Sequence, residues 1–273
     1  MKNLITRTLA GAVFVALIIG SILWHPLAVF IVFFIFNIIG LWEFARLFQN
    51  KGYQISATSL ILIGGLVYLI IGGFANSLIG AKAILIILPF ILILFISALF
   101  QKSNQVLEEL GIKMLGIIYI AIPFGLFNIV ENMGIVGQAN NEPLFLIMFF
   151  VIVWANDTFA YLFGSAFGKY RLFERISPKK SWEGSIGGAI SAMTIAGLFG
   201  YYYSVLDLYS WILLAFIIIV TASLGDLFES LLKRQVGVKD SGNIMPGHGG
   251  ILDRFDAAVF AIPFYVAILY FMS

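Results

Sequence analysis

Two acidic helix faces are the first chemistry visible in this chain. Asp226, Glu229, Ser230 and Lys233 fall at i, i+3, i+4 and i+7, one face of a single helix. Asp253 and Asp256 stand three residues apart at the start of a later apolar run, again on one face. The segment between them carries Lys233, Arg234, Lys239, Asp240 and then Pro246-Gly247-His248-Gly249-Gly250, followed by Asp253 and Arg254. Carboxylates that converge repel one another unless cations lie among them. Hard divalent ions such as Mg²⁺ take oxygen ligands and share them with substrate phosphates. A glycine-rich turn that feeds a helix offers backbone N–H groups to a phosphate. The pattern therefore points to metal-assisted chemistry on an anionic, phosphate-bearing ligand, with His248 beside it.

An earlier polar stretch adds Asn156-Asp157-Thr158, then Gly168-Lys169 and Ser177-Pro178-Lys179-Lys180-Ser181-Trp182-Glu183-Gly184. Gly164-Ser-Ala-Phe-Gly168-Lys169 approaches a P-loop and fails. It has three residues between the glycines instead of four, and Tyr170 in place of Ser or Thr. Lys179 and Lys180 on their own also fit a topology anchor or a lipid-headgroup contact. Trp182 also fits an interfacial belt.

The elements that hold these residues are membrane helices. Hydrophobic residues are 61% of the 273 and charged residues 11%, against about a quarter charged in soluble domains. Mean hydropathy is +1.03. Such a chain has the bilayer as its solvent. With no cysteine, disulfides and thiolate metal sites are excluded. The N-terminal run lacks a small-residue cleavage site leading into a soluble domain and reads as a retained helix.

At about 20 apolar residues per crossing, the spans are roughly 8–24, 27–46, 57–76, 82–100, 113–130, 143–163, 185–203, 210–232 and 251–272. The expectation is an all-α integral membrane protein of about nine helices. His25 and Pro26 alone separate the first two, as in a tight helical hairpin. No repeat or linker divides the chain, so one membrane domain is expected over 1–273, with N-terminal helices in 1–130 and the chemistry in 143–273. With the N-terminus in the cytoplasm, every Lys and Arg except Lys82 falls on the cytoplasmic side. Nine of the sixteen gather in two cytoplasmic loops, 164–184 and 233–250 with Arg254. Topology needs fewer, and an anionic ligand accounts for the excess. Asp157, Asp226, Glu229, Asp253 and Asp256 lie in or at the ends of apolar spans. A carboxylate there costs at least about 2.5–3.5 kcal/mol and usually has a job. A structural ion pair explains any one of them more easily than all five.

The run from Ser230 to Asp256 resembles the signature of the phosphatidate cytidylyltransferase family. The matching residues are Ser230, Lys233, Arg234, Lys239, Asp240, Gly242, Pro246, His248, Gly249, Gly250, Asp253, Arg254 and Asp256. Met245 stands where that family usually has Leu, Ile or Phe. Asn156-Asp157-Thr158 and Ser177 to Gly184 are similar to the same family, so the resemblance covers 150–260. The N-terminal half reads as generic membrane helix.

The resemblance implies that CTP and phosphatidate give CDP-diacylglycerol and pyrophosphate in phospholipid biosynthesis, with Mg²⁺. Whether a second, monovalent cation joins it stays open. It also implies a homodimer in the cell (inner) membrane, with a polar cavity at the cytoplasmic side of the C-terminal helices and no nucleic-acid partner. The metal ligands expected are Asp226, Asp253 and Asp256. Lys233, Arg234, Lys239 and Arg254 are expected to hold phosphates, with Asp240 and His248 among the catalytic group. Asp157, Lys179, Lys180, Ser181, Ser230, Gly249 and Gly250 are expected to bind substrate.

An ion-coupled transporter also uses intramembrane carboxylates, but it tends to place them at the midplane within paired repeats. Here no repeat is visible and the charges cluster at one end. A membrane phosphotransferase such as a lipid kinase is closer, and nucleotide selectivity separates it. Asp253→Asn is expected to cut turnover on the order of 10²-fold or more, measured on purified protein in detergent. Near-normal turnover would remove Asp253 from the site.

Overall fold

A computed structural model of the chain describes residues 2–132, 142–203, 205–245 and 249–272. In hydrocarbon a backbone N–H must find its acceptor within its own segment, so the apolar runs become helices. They are α1 (Lys2–Trp24), α2 (Pro26–Asn50), α3 (Ala57–Ala75), α4 (Ile87–Leu99, entered through a 3₁₀ segment Ala81–Ile86), α5 (Val106–Gly116), α6 (Ile122–Glu131), α7 (Glu142–Phe167), α8 (Trp182–Tyr202), α9 (Leu208–Val236) and α10 (Leu252–Met272). A π-helical turn, Ile117–Ala121, joins α5 to α6.

The apolar runs fall on helical segments, with 82–100 divided between the 3₁₀ segment and α4, and 113–130 between α5, the π-turn and α6. Among the described residues, eight helical segments are long and apolar enough to cross a membrane, and α1 contributes the shorter stretch Thr8–Trp24. The protein is thus an all-α, multi-pass type in its main architecture. One element departs from that expectation: the loop after α7 folds into an antiparallel ribbon of β1 (Arg171–Phe173) and β2 (Ser177–Ser181). Its two strands are too short to show an apolar alternation.

Local chemistry sets the boundaries. His25 alone separates α1 from α2; its Nδ1 accepts from the Leu27 N–H at 3.1 Å, and Pro26 begins the helix. Ser181 ends β2 and caps α8, accepting from the Gly184 N–H at 3.2 Å.

The chain forms two compact units. The first is Met1–Asn132 with Gln235–Phe255, and the second is Met133–Arg234 with Asp256–Ser273. The first has an aromatic centre. Phe33 and Phe127 lie 4.9 Å apart, Phe124 and Phe255 4.9 Å, and Phe14 and Phe255 5.4 Å between ring centroids. These geometries suit edge and offset contacts. Phe255, between Arg254 and Asp256, is fully buried there and fixes the first turn of α10. Near the start of α5, buried Glu109 accepts from the Gln54 N–H at 2.8 Å, the Ser103 hydroxyl at 2.9 Å and the Gln101 amide.

In the second unit α7 and α8 meet along a seam of small residues, because only close backbone approach gives strong packing where lipid competes. A Cβ at Gly188 would lie 2.6 Å from the Asn156 carbonyl oxygen, and one at Gly184 would lie 2.6 Å from that of Ala160. Gly188→Leu is expected to force the helices apart and destabilise the protein by about 1–3 kcal/mol, seen as a lower melting temperature in detergent.

Candidate active site

Within the second unit a cavity of about 540 Å³ opens between α7, the ribbon, α8 and α9. Asp157 comes from α7, Arg171 from β1, Lys179 and Lys180 from β2, and Asp226 from α9. Ser165, Ser181, Ser185 and Ser223 add hydroxyls, and Asn156 an amide. Three cations, two carboxylates and several hydroxyls thus surround one volume. The charged groups of this lining favour an anionic ligand group, beside the apolar wall of Ala160, Tyr161 and Leu172.

The ribbon explains how the loop cations reach this place. In β2 successive side chains alternate between faces, so Lys179 is exposed while Lys180 is half-buried and ion-paired with Asp226. The next residue, Ser181, is buried and spent on the α8 cap. Its hydroxyl lies where a Cβ at Gly164 would come within 3.2 Å. Ser181 therefore builds the wall as well as lining it.

The acidic face of α9 is realised. The Ser230 hydroxyl donates to Asp226 at 3.4 Å, and Lys233 pairs with buried Glu229 one turn away at 2.5 Å. Gly225 lets α10 approach: a Cβ there would lie 2.7 Å from the Asp256 carbonyl oxygen and 3.3 Å from the Ala257 Cα. Asp256 consequently comes within electrostatic reach of Asp226, Glu229 and Asp157. Among the described residues no three carboxylate or imidazole side chains already form a metal cage. Hard oxygen donors in this density nevertheless fit Mg²⁺, which often takes only one or two carboxylates besides water and phosphate.

The remaining predicted residues that are described lie in the first unit, except Arg234, which closes the second and is exposed. Lys239, Asp240 and Arg254 are exposed as well. Asp253 is anchored by its Oδ2, which accepts from the Ser241 N–H at 2.8 Å, the Ser241 hydroxyl at 2.9 Å and the Gly250 N–H at 2.8 Å. Gly249 has φ of +84°, in the left-handed region that favours glycine, and a side chain there would meet the Asp253 carboxylate. His248 lies outside the described residues, as do Pro246 and Gly247.

The expectation that the turn before α10 offers its amides to a phosphate needs correction at three positions. The Gly250 N–H goes to Asp253, and the Ile251 and Leu252 N–H groups go to Glu43 of α2. Sequence reading passed over Glu43 as part of a generic helix. The available signal was a carboxylate within the apolar run 27–46. Arg171 and Asn156 were also visible as residue types, but only the ribbon and the α7 face assign them to the cavity. The Asn156 Oδ1 is buried there with no hydrogen-bond partner among the described residues.

The cytidylyltransferase family model matches residues 5–272, and the chain belongs to that family. Among relatives named phosphatidate cytidylyltransferase, that of Bacillus subtilis (strain 168) is 38% identical over 67% of this chain and 65% of its own length. That of Haemophilus influenzae is 43% identical over 47% of each chain. That of Staphylococcus aureus (strain COL) is 33% identical over 94% of this chain and 95% of its own. The first two alignments thus span less than two thirds of those relatives, and the third spans nearly all.

Lys180→Met removes a cation that faces the cavity. Since a charged hydrogen bond is worth about 1.5–3 kcal/mol, affinity for a polyphosphate anion such as inorganic triphosphate is expected to fall about tenfold or more in equilibrium binding. Unchanged affinity would take Lys180 out of anion binding.

Proposed function

We propose that this protein is a phosphatidate cytidylyltransferase, acting in phospholipid synthesis in a cell membrane. It transfers CMP from CTP to phosphatidate. A phosphate oxygen of phosphatidate attacks the α-phosphorus of CTP, the bond from that phosphorus to the β-bridging oxygen breaks, and CDP-diacylglycerol and pyrophosphate result. The observation that carries this reading is the cavity in which Lys180 meets Asp226 beside Asp157, Lys179 and Arg171, in a chain of the cytidylyltransferase family.

Near neutral pH the attacking phosphate is already ionised, so no strong general base is required. Catalysis is then mainly positioning and neutralisation of charge. Lys179, Lys180 and Arg171 bind the triphosphate, and the cavity hydroxyls and Asn156 complete its polar contacts. Ser230 orients Asp226, and Lys233 balances Glu229. Asp226 and Asp256, with Asp157 near, are the residues to hold Mg²⁺, which when bound would stabilise the attacking and leaving oxygens. Asp253 is assigned to the metal, and Arg234, Lys239, Asp240, His248, Arg254 and Gly249 to the reaction or its phosphates, on the sequence signature, while Gly250 serves by anchoring Asp253.

The charge distribution supports nine crossings with a cytoplasmic N-terminus and a cavity facing the cytoplasm, where CTP is available. A homodimer belongs to the same reading, on the family resemblance alone.

The test is an assay of purified protein with phosphatidate and each of the four nucleoside triphosphates, following pyrophosphate and lipid nucleotide. CDP-lipid formed from CTP alone, and lost with EDTA, is the expected result. Transfer of a γ-phosphoryl group to lipid would instead identify a kinase.

A further inference from the structure

Glu43 is 1% exposed in α2, and its hydrogen-bond partners lie more than 200 residues away. One carboxylate oxygen accepts from the Ile251 N–H at 3.1 Å and the other from the Leu252 N–H at 3.0 Å. These are N–H groups at the start of α10 that have no acceptor within the helix. A carboxylate there is stabilised by charge-assisted bonds and by the helix dipole.

The surroundings are shaped for it. A side chain at Gly242 or at Gly250 would run into the Glu43 carboxylate. Ser241 stands between two carboxylates: its hydroxyl donates to Asp253 and lies against Glu43. Gly250 and Ile251 are consecutive, and their N–H groups are divided between Asp253 and Glu43. The two acids thus lock one stretch of backbone from both sides, and Arg254 follows in the same turn, its N–H bonded to the Ile251 carbonyl at 3.0 Å.

We propose that Glu43 is a positioning residue for cytidylyl transfer: from α2 it sets the first turn of α10, and with it the presentation of Asp253 and Arg254 to the metal ion and the substrate phosphates. This rests on the reading of Asp253 and Arg254 as reaction residues. Glu43 itself, enclosed by backbone amides and glycines, supports the site without touching substrate.

Glu43→Gln keeps the size but sets an NH₂ against a backbone N–H. Groups that orient metal ligands typically alter activity or metal affinity about 10–100-fold. Expected for Glu43→Gln are a kcat at least about tenfold lower, a Mg²⁺ requirement raised by a similar factor, and faster amide hydrogen exchange confined to residues 241–255. Glu109→Gln, which alters an equally buried carboxylate of the same unit, should leave the Mg²⁺ requirement and the exchange of 241–255 unchanged. Should Glu43→Gln fail to fold, Gly242→Ala decides. It retains the carboxylate but displaces it, and should produce the same three changes.

Near-wild-type values for the folded variant, or changes no different from those of Glu109→Gln, overturn the proposal. Asp253→Asn, run alongside, separates the two readings. If it is inactive while Glu43→Gln is active, only the role of Glu43 falls. If it retains turnover, the assignment of Asp253 falls first.

Discussion

A carboxylate inside an apolar helix bundle must be met by donors or cations close at hand, and much of this structure is arranged around that requirement. In an apolar surrounding an unmatched charge costs several kcal/mol. Asp226 is met by Lys180 from the ribbon, and Glu229 by Lys233 one turn along α9. Asp253 is met by Ser241 and Gly250, and Glu43 by the first amides of α10. Each match draws distant segments together: β2 to α9, α2 to α10. The acids are therefore fold determinants as well as chemical groups. A buried pair broken on one side is far more damaging than a surface pair, so the polar residues here leave little freedom to the helices that carry them.

Small residues are the counterpart. The α7–α8 seam closes through Gly184 and Gly188, and α9 reaches α10 through Gly225. At each place the bulk of a methyl group is missing and backbone takes its room. The cavity depends on this economy, because α7 supplies Asp157 from one side of the seam and α8 begins at Ser181 on the other. The lateral distance between charged groups is fixed by glycines that carry no chemistry themselves.

Much of this was legible beforehand. Apolar run length located the helices, because hydrocarbon thickness dictates it, and the helical period placed Asp226, Glu229, Ser230 and Lys233 on one face. The His25–Pro26 hairpin was readable because only those two residues separate the first two apolar runs. The ribbon was not, since Arg171–Phe173 is too short for a period-2 signal and Ser177–Ser181 has no apolar alternation. Nor was the occupation of the α10 amides, which depends on Glu43, more than 200 residues upstream. Local rules recognise a free helix N-terminus but cannot see which remote side chain fills it.

Glu43 also bears on how the chain is made. Its partners follow it by about 208 residues, and at about 5–20 residues per second of synthesis they emerge roughly 10–40 seconds later. Throughout that interval the ribosome has delivered an acid into an apolar segment before the backbone that will hold it exists. The unit containing α1 to α6 is accordingly discontinuous in sequence, completed only by Gln235–Phe255. Its early helices insert first but acquire their final polar arrangement late, when the nascent chain has nearly reached its last crossing.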